Sequence, residues 1–263
     1  MGLGRFIRLG VAACVAALLG GGARAADLTV GANVGNVPWE FQDASGAYVG
    51  FEVDLVRKVA EGLGKTVEFV NIPFNGLFPA VQSGRIDAAI SSITITAPRL
   101  QSLSFSQPYY DSDQSLAVAA RGGPAGLAAM AGKVLGVETA STGDQWAVAH
   151  QAEYKFAEIR RYEGLAPAIL DLQAGRMDGY IGDIPAVLYY IRDKPAFRVA
   201  ERIPTGEKYG IMFAKGAPLA AQFDAEITKL KGQGYLAGLH EKWFGAAPAP
   251  ESSTMTVLPM NTP

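Results

Sequence analysis

Cysteine and histidine are scarce in this chain, whose 263 residues include one Cys and two His. One cysteine cannot form a disulfide framework or a multi-cysteine zinc site, and two histidines cannot build a His-rich metal centre. No charge of one sign dominates either, since 23 Lys and Arg face 25 Asp and Glu. Nucleic-acid-binding domains carry a basic patch and a high pI. We therefore expect no metal, no cofactor and no nucleic-acid partner.

The first 25 residues have the pattern of a secretory signal peptide. Arg5 and Arg8 form a basic start, and residues 9–19 form an apolar run. That run is shorter than the roughly 20 residues that span a bilayer. Residues 23–25 (Ala-Arg-Ala) fit a cleavage site. The lone cysteine, Cys14, leaves with this leader, so we expect an exported, cysteine-free mature chain with a net charge of −5.

Short apolar strands alternate with amphipathic helices along the mature chain. Strands are predicted at residues 28–31, 66–70 and 86–91, with helices at 51–63 and 75–83 between them. Asn75 is the predicted cap of the second helix. This order predicts an α/β fold with a largely parallel sheet.

The same order recurs from residue 133, and one segment repeats at the level of sequence. Residues 82–90 and 173–181 share five identities in nine positions at a constant offset of 91. Chance is an alternative, because helix–Gly–strand junctions resemble each other through their caps. Two similar α/β lobes explain the offset better. It pairs Ser92 with Asp183 at the carboxyl ends of buried strands, where ligands bind in open α/β sheets.

A polar cluster follows the first of those strands, at residues 91–99. Ser92 and Thr94 lie two apart and share a face of an extended chain. Thr96 can cap a helix, which places Arg99 in its first turn. Hydroxyls and a guanidinium together suit a carboxylate ligand. A capped helix with a surface arginine fits the same pattern equally well.

Two features of the second half have similar alternatives. Thr142 and Gly143 follow a predicted strand, where exposed amides can meet an anion or simply form a capped loop. Thr142 or Asp144 is the predicted cap of the helix there. Asp183 can neutralise an ammonium group, or it can cap the helix that starts at Ile184.

The segment Gly50-Phe51-Glu52-Val53-Asp54-Leu55 resembles the signature of bacterial periplasmic amino-acid-binding proteins of the polar amino-acid transport group, solute-binding family 3. The resemblance extends over residues 27–245. Further matching segments are residues 38–41, 84–87, 91–99, 105–109, 182–185 and 242–245.

The resemblance implies a type II periplasmic binding fold, α/β, with two Rossmann-like lobes joined by two crossover strands. Lobe 1 is expected at residues 26–114 and 210–245, and lobe 2 at residues 115–209. Residues 246–263 are rich in Pro, Ser, Thr and Ala without periodicity, and we expect them to be disordered.

The resemblance also implies a ligand site in the cleft. Family members grip the α-carboxylate of an amino acid with the arginine that matches Arg99, and the α-ammonium with the aspartate that matches Asp183. An aromatic side chain at Phe74 lies against the ligand. The remaining donors to the carboxylate match Ser92, Thr94, Thr142 and Gly143.

Specificity positions depart from the relatives. Asn33 is a neutral amide where some relatives carry an acid, and Asn36 replaces an aromatic of basic-amino-acid binders. Glu138 either pairs with a cationic or amide side chain or points to solvent. Gly182 is small and suggests a roomier pocket. The implied ligand is a polar amino acid or close analogue.

The implied function is that of the periplasmic binding component of an ABC importer, which captures its ligand by hinge closure and docks on a membrane permease. We expect a monomer and no catalysis. Two alternatives stay open: a dehydratase-like enzyme with Glu138 as general acid, and a ligand sensor. His150 and His240 lie in no catalytic motif.

Overall fold

The structure, a computed structural model, describes residues 26–263. The predicted signal peptide lies outside the described residues. Within them, no helix is both long enough and apolar enough to cross a bilayer.

The strands of the described chain are short, apart from two. In chain order they are β1 (Leu28–Ala32), β2 (Phe41–Gln42), β3 (Tyr48–Val49), β4 (Val67–Asn71), β5 (Ala88–Ile90), β6 (Leu103–Phe105), β7 (Tyr110–Ala119), β8 (Val134–Glu138), β9 (Glu158–Tyr162), β10 (Gly179–Asp183), β11 (Phe197–Tyr209) and β12 (Met212–Ala214).

The helices alternate with these strands. In chain order they are α1 (Phe51–Gly62), α2 (Phe74–Gln82), α3 (Ala97–Ser102), α4 (Thr142–Ala149), α5 (Gln151–Tyr154), α6 (Leu165–Gln173), α7 (Ile184–Ile191), α8 (Pro218–Gly232) and α9 (Tyr235–Phe244), with a 3₁₀ turn at Leu127–Met130.

Two five-stranded sheets form the two lobes. Their strand orders are β4-β1-β5-β12-β6 and β11-β7-β10-β8-β9. Each sheet has a parallel trio, β4-β1-β5 in one and β9-β8-β10 in the other, flanked by an antiparallel strand. The strands of the nine-residue repeat, β5 and β10, hold the same place in each trio. The predicted α/β fold of two similar lobes is confirmed.

Both sheets are covered on both faces, and most residues of strands β1, β5, β8 and β10 are therefore buried and apolar. Val30 packs against α1 and its neighbours, whereas adjacent Gly31 faces Leu77 of α2. In the second sheet, Ile181 and Tyr180 point into separate buried clusters on opposite faces. The covered faces leave the strand ends free to form the cleft.

The two long strands, β7 and β11, carry the chain between the lobes. They pair antiparallel from Tyr110↔Tyr209 to Phe197↔Ala119 and form the edge of the second sheet. The predicted lobe boundary at residues 114/115 falls inside β7, and that boundary stays a prediction. These are the two predicted crossover strands, and they bring their own side chains to the cleft.

The predicted helix caps are correct at one site and wrong at two. Oγ1 of Thr96 accepts a hydrogen bond from the amide of Arg99 at 3.4 Å, as a cap does. Ser141, not Thr142 or Asp144, caps α4. Helix α2 starts at Phe74 after Pro73, so Asn75 lies within it. In both cases the observed cap position, Ser141 or Pro73, lies one residue or more before the predicted one.

Residues 246–263 are not disordered in the structure, contrary to the composition-based expectation. This C-terminal segment binds the first lobe through polar side chains that have partners there. Ser253 donates to the carboxylate of Asp111, and Thr254 Oγ1 donates to the carbonyl of Tyr109 at 3.0 Å. Asn261 accepts from the Phe105 amide at 2.7 Å. The expectation of disorder is based on low apolar content and lack of periodicity, and neither property reveals hydrogen bonds of this kind.

Candidate functional site

The loop after β5 has an unusual backbone at Ser92, whose φ of 45° is left-handed. Such a conformation is uncommon for a residue other than glycine and persists only when its surroundings hold it. The Ser92 amide donates to both carboxylate oxygens of Glu52, at 2.9 and 3.1 Å. The side chain of Asn36 donates to Ser92 Oγ at 3.2 Å. These bonds fix the loop at the mouth of the cleft.

Two buried glutamates support this loop from below. Glu40 and Glu52 are both fully buried, and Tyr109 donates a short hydrogen bond to Glu52. Oε2 of Glu40 has no donor in the part of the chain described. Burial raises the pKa of Glu40 well above its usual value, and the adjacent Glu52 charge raises it further. One shared proton between the two carboxyls satisfies both.

Arg99 is buried, with 9% of its surface exposed, so the surface-arginine alternative is wrong. Its guanidinium donates to the carbonyl of Thr94 at 2.7 Å and, across the cleft, to that of Ala140 at 3.4 Å. The rings of Phe78 and Phe74 lie 4.9 and 5.7 Å from its Cζ. Burial lowers its pKa to about 10, while the charges of Glu207 and Asp183 oppose that change. Three N–H groups of the guanidinium remain for an anion.

Asp183 ends β10 and faces the cleft. Its side chain makes no capping bond to α7, so the capping alternative is not supported. It accepts instead from Tyr209 Oη and from Gln114 Nε2, each at 2.5 Å. Burial raises the pKa of Asp183 to about 7, with the Glu207 charge adding to the rise and the two hydrogen bonds opposing it. A buried carboxyl in this condition favours a cationic neighbour.

Glu138 ends β8, next to β10 in the sheet, and faces the cleft rather than solvent. Its Oε1 accepts from Asn33 Nδ2 of the other lobe at 2.8 Å. Burial raises the pKa of Glu138 to about 8, and the nearby Asp183 charge adds to it. The pair links the lobes and places a second carboxyl beside Asp183.

The ten predicted residues divide into two groups around a cavity between the lobes. Those that line it are Asn33, Asn36, Ser92, Glu138 and Asp183. The others flank it: Thr94 and Thr142 meet across the cleft with their hydroxyls 3.5 Å apart, Phe74 contacts Arg99, and Gly143 lies against Gln114.

Gly143 and Gly182 have close neighbours that explain their size. A Cβ at Gly143 would come within 2.9 Å of Gln114 Oε1. One at Gly182 would come within 2.4 Å of the Tyr180 ring. Tyr180 thus occupies the space that a larger residue at 182 would take. The small size of Gly182 therefore does not enlarge the pocket, contrary to the expectation from the sequence.

Several residues of the cleft escaped the sequence prediction: Tyr180 and Glu163 line the cavity, and three more, all from the crossover strands, contact the predicted residues. The three are Gln114 of β7 and Glu207 and Tyr209 of β11. The only signal in the sequence is the run of polar residues at 111–115, directly before the apolar run at 116–120. The local sequence pattern of those strands does not indicate which sheet they join.

The cleft is therefore a polar site built from both lobes and both crossover strands. It holds one buried guanidinium and several carboxyls, of which two have a raised pKa. Among the described residues, no group of three His, Cys, Asp or Glu side chains has the arrangement of a metal site. The arrangement suits a small ligand that carries both an anion and cations.

Two α/β lobes, two crossover strands and a polar cleft between the lobes define a bacterial solute-binding protein. The sequence profile of the bacterial extracellular solute-binding proteins, family 3, matches residues 28–246, and the chain belongs to that family.

Relatives and solved structures are similar over most of the chain. The L-arginine-binding protein of Pseudomonas aeruginosa is 30% identical, over 82% of this chain and 86% of its own length. An ancestral arginine-binding protein bound to arginine superposes with a TM-score of 0.78 at 31% identity, covering 83% of this chain and 98% of that one. The arginine-, lysine-, histidine-binding protein ArtJ of Geobacillus stearothermophilus gives 0.78 at 31%, covering 85% and 97%.

These matches identify the chain as a substrate-binding component of amino-acid ABC transport. They also confirm the type II periplasmic binding fold. The relatives are binding proteins rather than enzymes, and they do not favour the dehydratase-like alternative.

Proposed function

We propose that this protein captures a cationic amino acid of the arginine or lysine type. The observation that carries the proposal is the half-buried Glu138 carboxyl, which lines the cavity together with Asp183 and has a raised pKa. A buried carboxyl is costly when ionised without a partner, and a bound cation removes that cost. Relatives named as arginine-binding proteins support the same ligand class.

Each end of the ligand has a partner of opposite charge. Arg99 has free N–H groups for the α-carboxylate, and Asp183 accepts from the α-ammonium. Glu138, oriented by Asn33, accepts from the cationic end of the side chain. Both acids line the same cavity, and the charge of Asp183 acts on Glu138, so one extended ligand reaches both.

Capture works by closure of the lobes about β7 and β11. Arg99 belongs to the first lobe, whereas Asp183 and Glu138 belong to the second, so a ligand that bridges them favours the closed form. A micromolar dissociation constant corresponds to about −8 kcal/mol, which a few charge-assisted bonds in a desolvated cleft supply. We further propose that the closed protein is a periplasmic monomer without catalytic activity that delivers its ligand to the membrane permease.

Calorimetry with arginine and its neutral isostere citrulline tests this proposal. We expect micromolar binding of arginine and at least 100-fold weaker binding of citrulline. We expect Glu138→Gln to weaken the binding of arginine at least tenfold and to reduce the difference in affinity between arginine and citrulline. The matched control is Glu241→Gln, because Glu241 is an exposed acid of α9 that does not line the cavity. Citrulline or glutamine binding as tightly as arginine contradicts the proposal.

Arg99→Ala tests the other end of the ligand. We expect loss of arginine binding in calorimetry with the circular dichroism spectrum unchanged, because the charge of Glu207 then repels the ligand's α-carboxylate with no guanidinium to oppose it. Near-normal affinity in this variant would remove Arg99 from the site.

A further inference from the structure

Glu207 of β11 is a buried acid with contacts to both lobes and to the other crossover strand. Its Oε2 accepts from Thr94 Oγ1 of the first lobe at 2.6 Å and from Thr142 Oγ1 of the second at 3.0 Å. Its Oε1 accepts from Gln114 Nε2 at 2.9 Å. Glu207 is 8% exposed. A carboxylate thus lies between the two hydroxyls that the family resemblance assigned to the ligand's α-carboxylate.

Those contacts limit what Thr94 and Thr142 can offer a ligand. Each hydroxyl has a single hydrogen to donate, and the geometry directs both hydrogens at Glu207. An incoming carboxylate obtains them only if Glu207 gives them up. The negative charge of Glu207 also acts on Arg99 more strongly than the negative charge of Asp183 does. The protein therefore provides its own partner for the donors that otherwise receive the ligand's anion.

The cavity beside this cluster is acidic, and neither Arg99 nor Glu207 is among the described residues that line it. Its lining includes the carboxyls of Glu138, Glu163 and Asp183, and no Lys, Arg or His is among the described residues that form it. With Arg99 balanced by Glu207, the formal charges of Asp183 and Glu138 remain to be matched. A ligand with two positive charges matches them and does not need a carboxylate of its own.

We propose that Glu207 takes the place of the ligand's α-carboxylate, and that the cavity therefore also binds cations without that group, namely diamines and guanidino-amines. The inference rests on the proposed function and extends it from cationic amino acids to their decarboxylated counterparts. One ammonium pairs with Asp183, and the distal ammonium or guanidinium pairs with Glu138.

Calorimetry on the wild-type mature chain with arginine and agmatine, which differ only by the carboxylate, tests the ligand class. We expect the dissociation constants of the two to lie within tenfold of each other. The pair lysine and 1,5-diaminopentane repeats the comparison with an ammonium side chain, and we expect the same result. Neither comparison depends on a variant that has to fold.

Glu207→Gln tests the role of the residue itself. Removing the charge weakens the bonds from the hydroxyls of Thr94 and Thr142, because an amide oxygen accepts less strongly than a carboxylate, and removes a negative charge that acts on Arg99. We expect the ratio of the agmatine to the arginine dissociation constant to rise at least tenfold. Glu241→Gln, an exposed acid of α9 remote from the cleft, removes the same charge and keeps the wild-type ratio.

The outcomes separate this inference from the proposed function. If arginine binds at micromolar concentration and agmatine binds more than 100-fold more weakly, the inference is overturned while the proposed function stands. If neither ligand binds, the proposed function fails. An unchanged ratio in a folded Glu207→Gln variant overturns the role of Glu207.

Discussion

Tyr209 Oη donates a 2.5 Å hydrogen bond to Oδ2 of Asp183. Tyr209 ends a crossover strand, and Asp183 ends a strand of the second lobe, so the bond joins the hinge to the ligand wall. It stabilises the ionised form of Asp183 and opposes the effect of burial on the pKa of that carboxyl. The hinge therefore takes part in setting the charge of the cleft.

Tyr209→Phe is expected to raise the pKa of Asp183 above its value of about 7, because the variant loses a donor to the ionised form. At pH 7 a larger fraction of Asp183 is then protonated, and affinity for a cationic ligand falls several-fold. The loss disappears at pH 9, where Asp183 is ionised in both proteins. Calorimetry from pH 6 to pH 9 measures the effect.

Tyr110→Phe is the matched control for that variant, since Tyr110 stacks on Tyr209 without a hydrogen bond to Asp183. Its pH profile should follow that of the wild type. A Tyr209→Phe profile parallel to the wild type at every pH would remove Tyr209 from the control of Asp183.

Glu138 makes the stability of the ligand-free protein depend on pH. Its pKa in the folded chain is about 8, against an ordinary value of 4.5. Between these values the folded state binds more protons than the unfolded state, so the free energy of unfolding falls as the pH rises toward 8. Glu138→Gln removes that loss. We expect it to raise the free energy of unfolding at pH 8 by roughly 1–4 kcal/mol and to change little near pH 4.

Urea unfolding at the two pH values provides the test, and Glu241→Gln, at an exposed acid of α9, is again the matched control. Equal effects of Glu138→Gln at both pH values would contradict the assignment of a raised pKa to this residue.

Binding of a cationic ligand should release protons at pH 7. Glu138, with a pKa of about 8, and Asp183, with a pKa of about 7, are both partly protonated there. A cation beside them lowers both values and expels those protons. Calorimetric enthalpies in buffers of different ionisation enthalpy give the number released. We expect between one and two protons at pH 7 and fewer than half of one at pH 9.5, and uptake of protons at pH 7 would contradict the model of the site.

The buried acids beneath Ser92 should respond differently to loss of charge. Glu40 holds the shared proton, so Glu40→Gln keeps a donor to Glu52 and should change the free energy of unfolding by less than about 1 kcal/mol. Glu52 accepts from the Ser92 amide and from Tyr109, and Glu52→Gln should cost about 2–4 kcal/mol. Denaturant unfolding of both variants at pH 7 checks the order, and the reverse order would assign the proton to Glu52.

The C-terminal segment should contribute to the stability of the first lobe. Lys231 is 7% exposed, and its Nζ donates to Gln107 Oε1, to the Pro108 carbonyl and to the Thr256 carbonyl. Burial lowers its pKa to about 8. Deletion of residues 249–263 removes the Thr256 carbonyl, which is one of the three acceptors of Lys231 Nζ. It should lower the free energy of unfolding by about 2–4 kcal/mol.

A shorter deletion of residues 262–263 is the control, because it leaves the bonds of Ser253, Thr254 and Thr256 in place. Equal stability of the two truncated proteins would show that the segment adds nothing to the lobe.

Sequence reasoning located those parts of the site that follow the strands of the repeat. The offset of 91 residues pairs Ser92 with Asp183 because Ser92 follows, and Asp183 ends, the third strand of a parallel trio. Local pattern could not place Gln114 or Glu207, since their positions depend on how two long crossover strands join a distant sheet. It could not decide between the alternatives for Arg99 either, because burial there comes from Phe74 and Phe78 of another helix.

The C-terminal segment gives access to the hinge from outside the cleft. Ser253 is bonded to Asp111 at the start of β7, while Met255 and Val257 beside it are exposed. Residues 26–263 contain no cysteine. A single Met255→Cys substitution in the mature chain would thus accept one thiol-reactive fluorophore, next to the pivot and away from the ligand. The fluorescence of such a conjugate would report closure of the lobes without a second dye.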